Sequence, residues 1–183
     1  MDEDNSTKLT MLFAAHHAEV LAYCVRRIGY AEGEDAAAEV FAVASRRVDD
    51  IDWKTVRPWL YGVARGVLAN RYRSLHRLRR VTGRVTGLAA APIDSLDDVV
   101  IRNAEARETL SALRRLRPSD REILMLYAWE ELGAIDIAAS LGVSVDAAKK
   151  RLERAKRRLA HVLYPTSNSV GTQGAVFENG TSK

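Results

Sequence analysis

Leu9, Leu12, Phe13, Val20, Tyr23, Cys24 and Ile28, with His16 among them, recur three and four positions apart, so one face of an amphipathic helix collects them. Gly29 and Gly33 are expected to end that helix. The spacing predicts a second helix over 35–47, with Ala38, Phe41, Ala42 and Ala44 as its small-residue face. Glu34, Asp35 and Glu39 lie near its positive end. Residues 49–57 have no sustained period and precede Pro58, which disfavours helix before it and suits a helix's first turn. They are expected to form a loop feeding a third helix, which runs from Trp59 through Leu60, Val63, Ala64, Val67, Leu68 and Leu75. This helix becomes strongly basic at Arg71, Arg73, Arg77, Arg79 and Arg80.

From Val81 the pattern breaks into Gly83, Gly87, Ala89 to Ala91 and Pro92, followed by Asp94, Asp97 and Asp98, the composition of a flexible linker. Helical period returns between Val100 and Leu116. Pro118-Ser119-Asp120 opens a further helix carrying Ile123, Leu124, Leu126 and Tyr127. A short helix over Ala134 to Leu141, a Gly142-Val143-Ser144 turn and a longer helix to about Leu163 complete the pattern. The tail, rich in Gly, Ser, Thr and Asn, is expected to be disordered. Neither strand alternation nor an internal repeat competes. The expected fold is all-α, with two small helical domains over 8–80 and 108–164, a flexible linker over 81–107 and a tail over 165–183.

Charge divides the chain further. Residues 1–50 hold five Lys or Arg against ten Asp or Glu, residues 51–80 hold eight against Asp52 alone, and residues 110–163 hold eleven against seven. Two basic segments suited to phosphate follow an acidic one suited to a protein partner. Cys24 is the sole cysteine, which excludes an internal disulfide, and no thiolate metal set surrounds it. His16, His17, His76 and His161 are scattered without a paired carboxylate or nucleophile, so neither an enzyme, a metal site nor a cofactor is expected. The polar, acidic start and the lack of a membrane-length apolar run point to a cytoplasmic protein.

Two short helices about a Gly-containing turn describe a helix-turn-helix, whose second helix can enter the major groove. Ser144 is a natural N-cap, and Val145, Ala148, Leu152, Ala155 and Leu159 share the core face of the helix that follows. Lys149, Lys150, Glu153, Arg154 and Arg157 then point outward, where long cations reach guanine edges and phosphates. A solvated charged face would carry the same pattern.

The segments starting at Pro118 (PSDREILML), Ile137 (IAASLGVS) and Lys149 (KKRLERAKRRL) resemble region 4 of the sigma factors. Those starting at Asp35 (DAAAEVF) and Trp59 (WLYGVAR) resemble region 2.2 and the junction of regions 2.3 and 2.4. Order and spacing are those of the family, and nothing resembles the extra regions 1.1 and 3, which points to the minimal, extracytoplasmic-function type. The resemblance implies a transcription initiation factor that joins core RNA polymerase, through the coiled coil of its largest subunit and the flap region, to promoter DNA. It leaves room for an anti-sigma factor and implies no membrane partner.

On this resemblance the second helix docks on polymerase through Asp35, Glu39, Val40, Phe41 and Arg46. The 49–57 loop takes an unstacked base of the minus-ten element, with Trp53 stacking on it and Lys54 or Arg57 holding phosphates, unless Trp53 is instead a core residue capping the third helix. Arg65, Arg71, Arg73 and Arg77 meet the backbone of the opening duplex. The minus-thirty-five element falls to Ser144, Lys149, Lys150, Arg151, Glu153, Arg154, Arg157 and Arg158. Gly66 stands where relatives often have Asn, Asp146-Ala147 where they have Gly-Thr, and Glu153 where they have an aromatic residue or His, so the promoter sequence is not readable from the chain. A helix-turn-helix repressor or activator that binds DNA without polymerase is the alternative, and it leaves the first domain without a role.

Overall fold

The computed structural model describes residues 3–81 and 104–165, and among them the chain is seven helices without a strand. α1 spans Glu3–Ile28, α2 Tyr30–Ser45 and α3 Val56–Val81, with one 3-10 turn at Val48–Asp50 between the last two. α4 (Ala104–Arg115), α5 (Pro118–Ala128), α6 (Ala134–Leu141) and α7 (Val145–Leu163) make up the second half. Most of the expected linker and nearly all of the expected tail lie outside the described residues. At the linker's edges, Val81 still belongs to α3, and Ala104 to Arg107 already belong to α4.

The first corner is made differently from the pattern. Gly29 does end α1, with a φ of 90° that favours glycine. Gly33 lies inside α2, which therefore starts earlier than Asp35. A Cβ on Gly33 would stand 2.8 Å from the Val25 Cα, so this glycine lets α1 and α2 approach closely instead of breaking a helix. At the second half's central turn, Gly142 takes φ 65°, its N–H donates to the Ala139 carbonyl and that of Val143 donates to the Ala138 carbonyl. This closes α6 with glycine where the backbone turns left-handed. Ser144 then caps α7, its side-chain oxygen accepting from the Ala147 N–H at 3.2 Å. Arg121, buried, donates to the carbonyls of Leu113, Arg114 and Leu116 and so closes the α4–α5 corner.

The two halves share one core. Leu12, Tyr23, Ala36, Val40, Leu60 and Ala64 of the first half and Leu126, Ile137, Ala138 and Leu152 of the second belong to one contiguous buried cluster. α3 and α6 cross where Gly62 faces Ser140, and a Cβ on Gly62 would lie 3.3 Å from the Ser140 carbonyl oxygen. The Ser140 hydroxyl donates to the Pro58 carbonyl at 3.0 Å.

Beside this crossing, Arg27 of α1 is only 4% exposed. Its Nε lies 3.0 Å from Glu122 of α5, and its Nη1 lies 3.2 Å from Glu130. Arg26 reaches the other oxygen of Glu130 at 2.5 Å. The Tyr23 hydroxyl donates to Glu122 at 2.8 Å, and the Tyr72 hydroxyl donates to the Arg27 carbonyl. Burial opposes the Arg27 charge, but Tyr23, Glu122 and Glu130 outweigh it and hold the guanidinium above its ordinary pKa.

Candidate nucleic-acid and polymerase interfaces

α7 stands on Ala148, Leu152 and Ala155, all buried, with Val145 and Leu159 half-buried beside them. A helix so anchored must turn its other face outward, and Lys149, Lys150, Arg151, Glu153, Arg154, Arg157 and Arg158 are all exposed. Lys149, Lys150, Glu153, Arg154 and Arg157 line one shallow cleft. Within it the Arg154 Nε donates to the Lys150 carbonyl at 3.1 Å, laying the side chain along its own helix. Glu153 is 3.4 Å from Lys156, which also lies over the Tyr127 ring at 4.3 Å. Arg158 differs from its neighbours: its Nη1 lies 2.6 Å from Asp120 of α5, so part of its charge holds α7 to the head of α5.

In the first half, the 49–57 segment folds as the 3-10 turn followed by a side-chain turn. The Asp52 carboxylate accepts from the Lys54 N–H at 2.9 Å, and the Asp52 carbonyl accepts from the Thr55 N–H at 3.0 Å. Trp53 sits at the tip, 44% exposed, and is not packed into the core. Lys54 is exposed next to it. Trp59 is half-buried and Leu60 and Tyr61 are buried, so α3 begins on its own anchors.

The arginines of α3 divide by partner. The Arg57 Nε lies 2.8 Å from Glu19 and its Nη2 donates to the Glu130 carbonyl at 2.9 Å, so Arg57 spans the two halves instead of standing free beside Trp53. Arg71 pairs with Glu32 at 3.3 Å and Glu39 at 3.2 Å, which ties α3 to α2. Arg65 reaches the Leu141 carbonyl at 3.5 Å, Arg73 bonds to Asn70, and Arg77 donates to the Ser74 hydroxyl at 3.1 Å. Arg65, Arg73 and Arg77 remain exposed.

Asp35 and Glu39 are exposed on α2, and Arg46 is exposed at its C-terminal cap. Val40 is fully buried and Phe41 is 6% exposed, so in this structure both are core residues that support the helix from behind. α2 packs against both α1 and α3, and the Phe41 ring lies 4.9 Å from Phe13 and 5.8 Å from His17 of α1. Phe13, expected on the core face of α1, is instead exposed at its rim, stacked on His17 at 4.3 Å and tilted against Phe41 at 4.9 Å. Arg27, Glu122 and Glu130 were not legible beforehand, because charged residues are seldom fully buried and nothing in their local spacing marks a long-range pair.

A basic helix-turn-helix packed on a second helical body with an exposed tryptophan turn and basic α3 defines a two-part DNA-binding protein. Residues 12–78 match the family model "Sigma-70 region 2", and residues 106–159 match "Sigma-70, region 4". The chain is 27% identical to the RNA polymerase sigma factor NccH of Alcaligenes xylosoxydans xylosoxydans, over 80% of this chain and 82% of the relative. It is 30% identical to the ECF RNA polymerase sigma factor BldN of Streptomyces coelicolor, over 83% of this chain and 59% of the relative. The fold is similar to that of the sigma factor RpoE, solved with the anti-sigma factor NepR from Bartonella quintana. The TM-score is 0.58 at 21% identity, over 88% of this chain and 98% of the other. The chain belongs to the sigma-70 family, in its extracytoplasmic-function branch. Among the described residues no helix is long and apolar enough to cross a membrane, and no cluster of His, Cys, Asp and Glu could hold a metal ion.

Proposed function

We propose that this sigma factor engages polymerase through the outward face of α2 and a promoter through Trp53, α3 and α7. Asp35, Glu39 and Arg46 form the docking face, with Val40 and Phe41 holding it in place. Trp53 offers a stacking platform worth about 1–3 kcal/mol per base, enough to offset the few kcal/mol of extruding one. Lys54, Arg65, Arg73 and Arg77 supply backbone contacts, and Arg57 and Arg71 join them only after releasing their carboxylates. At the minus-thirty-five element, Ser144 orders the start of α7. Lys149, Lys150, Arg151 and Arg154 meet bases and nearby phosphates, Glu153 accepts from a cytosine amine, and Arg157 and Arg158 bear on the backbone. The role is one of binding and positioning in the cytoplasm, without catalysis. An anti-sigma regulator such as the one crystallised with RpoE is a further partner in this reading.

The observation that carries the proposal is the orientation of α7, with small and apolar residues inward and a row of cations outward. The closed packing adds a requirement. Elements about 25 base pairs apart are separated by roughly 85 Å at 3.4 Å per pair. Arg65 and Leu141, one from each DNA-facing half, are 3.5 Å apart. The halves must therefore separate before both elements are held.

Transcription in vitro with core polymerase and a promoter library tests the reading. The expected result is initiation at a defined pair of elements, lost with Trp53→Ala and with Glu39→Arg while both variants stay folded. Tight, sequence-specific promoter binding by the free chain, with no response to core polymerase, overturns it.

A further inference from the structure

Where the two halves meet, α3, α5 and α7 surround a cleft of about 550 Å³. Arg65 lines it from α3 and Arg117 from the head of α5, while Arg151, Arg154 and Arg158 line it from α7. Two carboxylates also reach the cleft, and both are committed. Asp120 pairs with Arg158 at 2.6 Å, and Glu122 pairs with Arg27, outside the cleft, at 3.0 Å. Among the described residues Arg65, Arg117, Arg151 and Arg154 have no carboxylate partner, so four arginines line the cleft whose charge is not paired by either of its carboxylates. The volume is that of a small-molecule site. Guanidinium forks suit phosphate oxygens, and forks arriving from three helices suit an anion with more than one phosphoryl group.

We infer that this interdomain cleft is a binding site for a small polyphosphate anion, either a free oligophosphate or the phosphate chain of a nucleotide. The anion neutralises the four guanidiniums and, because Arg65 lies in the first half and the other three in the second, it bridges the closed form. It also occupies Arg151 and Arg154 on the promoter-reading helix, so its binding opposes promoter binding. The site itself stands on the closed packing and does not depend on the polymerase reading.

The test is calorimetric titration of the full chain with inorganic triphosphate at low ionic strength, followed by the same titration with a nucleoside triphosphate. Saturable binding near one equivalent is expected, accompanied by a higher melting temperature. Arg65→Gln and Arg117→Gln, both at exposed positions, should each weaken it about tenfold, the loss of one charged hydrogen bond, whereas Lys8→Gln should leave it unchanged. Equal affinity for the two ligands assigns recognition to the phosphate chain alone, and tighter nucleotide binding assigns it to the nucleotide. Absence of saturable binding overturns the proposal. So does binding indifferent to Arg65 and Arg117, or weakened as much by Lys8→Gln.

Discussion

Arg27 and Glu130, 103 residues apart in sequence, meet inside the molecule with 3.2 Å between Nη1 and Oε1, and neither is more than 4% exposed. Such a pair is a poor source of net stability but costs something to break, because removing Glu130 leaves the buried Arg27 guanidinium with Glu122 as its one carboxylate partner among the described residues. Its position between α1 and the loop after α5 makes it a clasp between the halves.

Glu130→Ala should therefore destabilise the closed protein by about 1–3 kcal/mol, since Arg27 keeps Glu122. Urea denaturation measures the loss, and small-angle scattering should show an enlarged particle under native conditions as the halves part. A loss below about 1 kcal/mol with unchanged dimensions would mean that the apolar contacts alone hold the domains together.

Two glycines should respond in opposite directions. Gly33→Ala forces a Cβ against the Val25 backbone at 2.8 Å and should cost about 1–3 kcal/mol. Gly66 is helical and exposed, with nothing within 4 Å of an added Cβ, so Gly66→Ala should stabilise by about 0.5–1 kcal/mol. Paired urea curves decide both signs.

Burial pushes Cys24 up to about 12 from 9.0 and Tyr61 up to about 12 from 10.0. Above their unfolded values the unfolded chain sheds these protons while the folded one retains them, so stability falls as pH rises. The effect is absent below about pH 9 and grows towards pH 12. Unfolding free energies measured from pH 8 to pH 11.5 should decline accordingly, and the Cys24 thiol should resist alkylation at pH 8.5 until the protein is unfolded.

At the promoter, Arg154→Ala should relax preference at one base pair of the minus-thirty-five element and cost about 1–3 kcal/mol. Arg157→Ala should weaken all sequences alike and lower the salt slope by about one. A promoter library transcribed with each variant separates the two, and altered preference with Arg157→Ala but not with Arg154→Ala would reverse the assignment.

The helices and their orientation in the second half were legible from local chemistry. Ser144 caps α7, Gly142 ends α6 and Ala148, Leu152 and Ala155 lie inward, because caps and the 3.6-residue period involve only near neighbours. The role of Gly33 is not legible locally: a glycine that breaks a helix and one that admits a neighbouring helix look alike until the neighbour, here Val25, is in place.

By itself, then, the sequence determined an all-helical chain, the division of acidic from basic segments and the outward row of cations on α7. Periodicity and charge are written residue by residue. Only the tertiary structure decided which charges are committed inside the molecule. Arg57 is held by Glu19 and the Glu130 carbonyl, Arg71 by Glu32 and Glu39, and Arg158 by Asp120, while Arg65, Arg117, Arg151 and Arg154 line one cleft without a carboxylate partner among the described residues. Ion pairing depends on distance in space, and partners separated by tens of residues come together only when the helices pack.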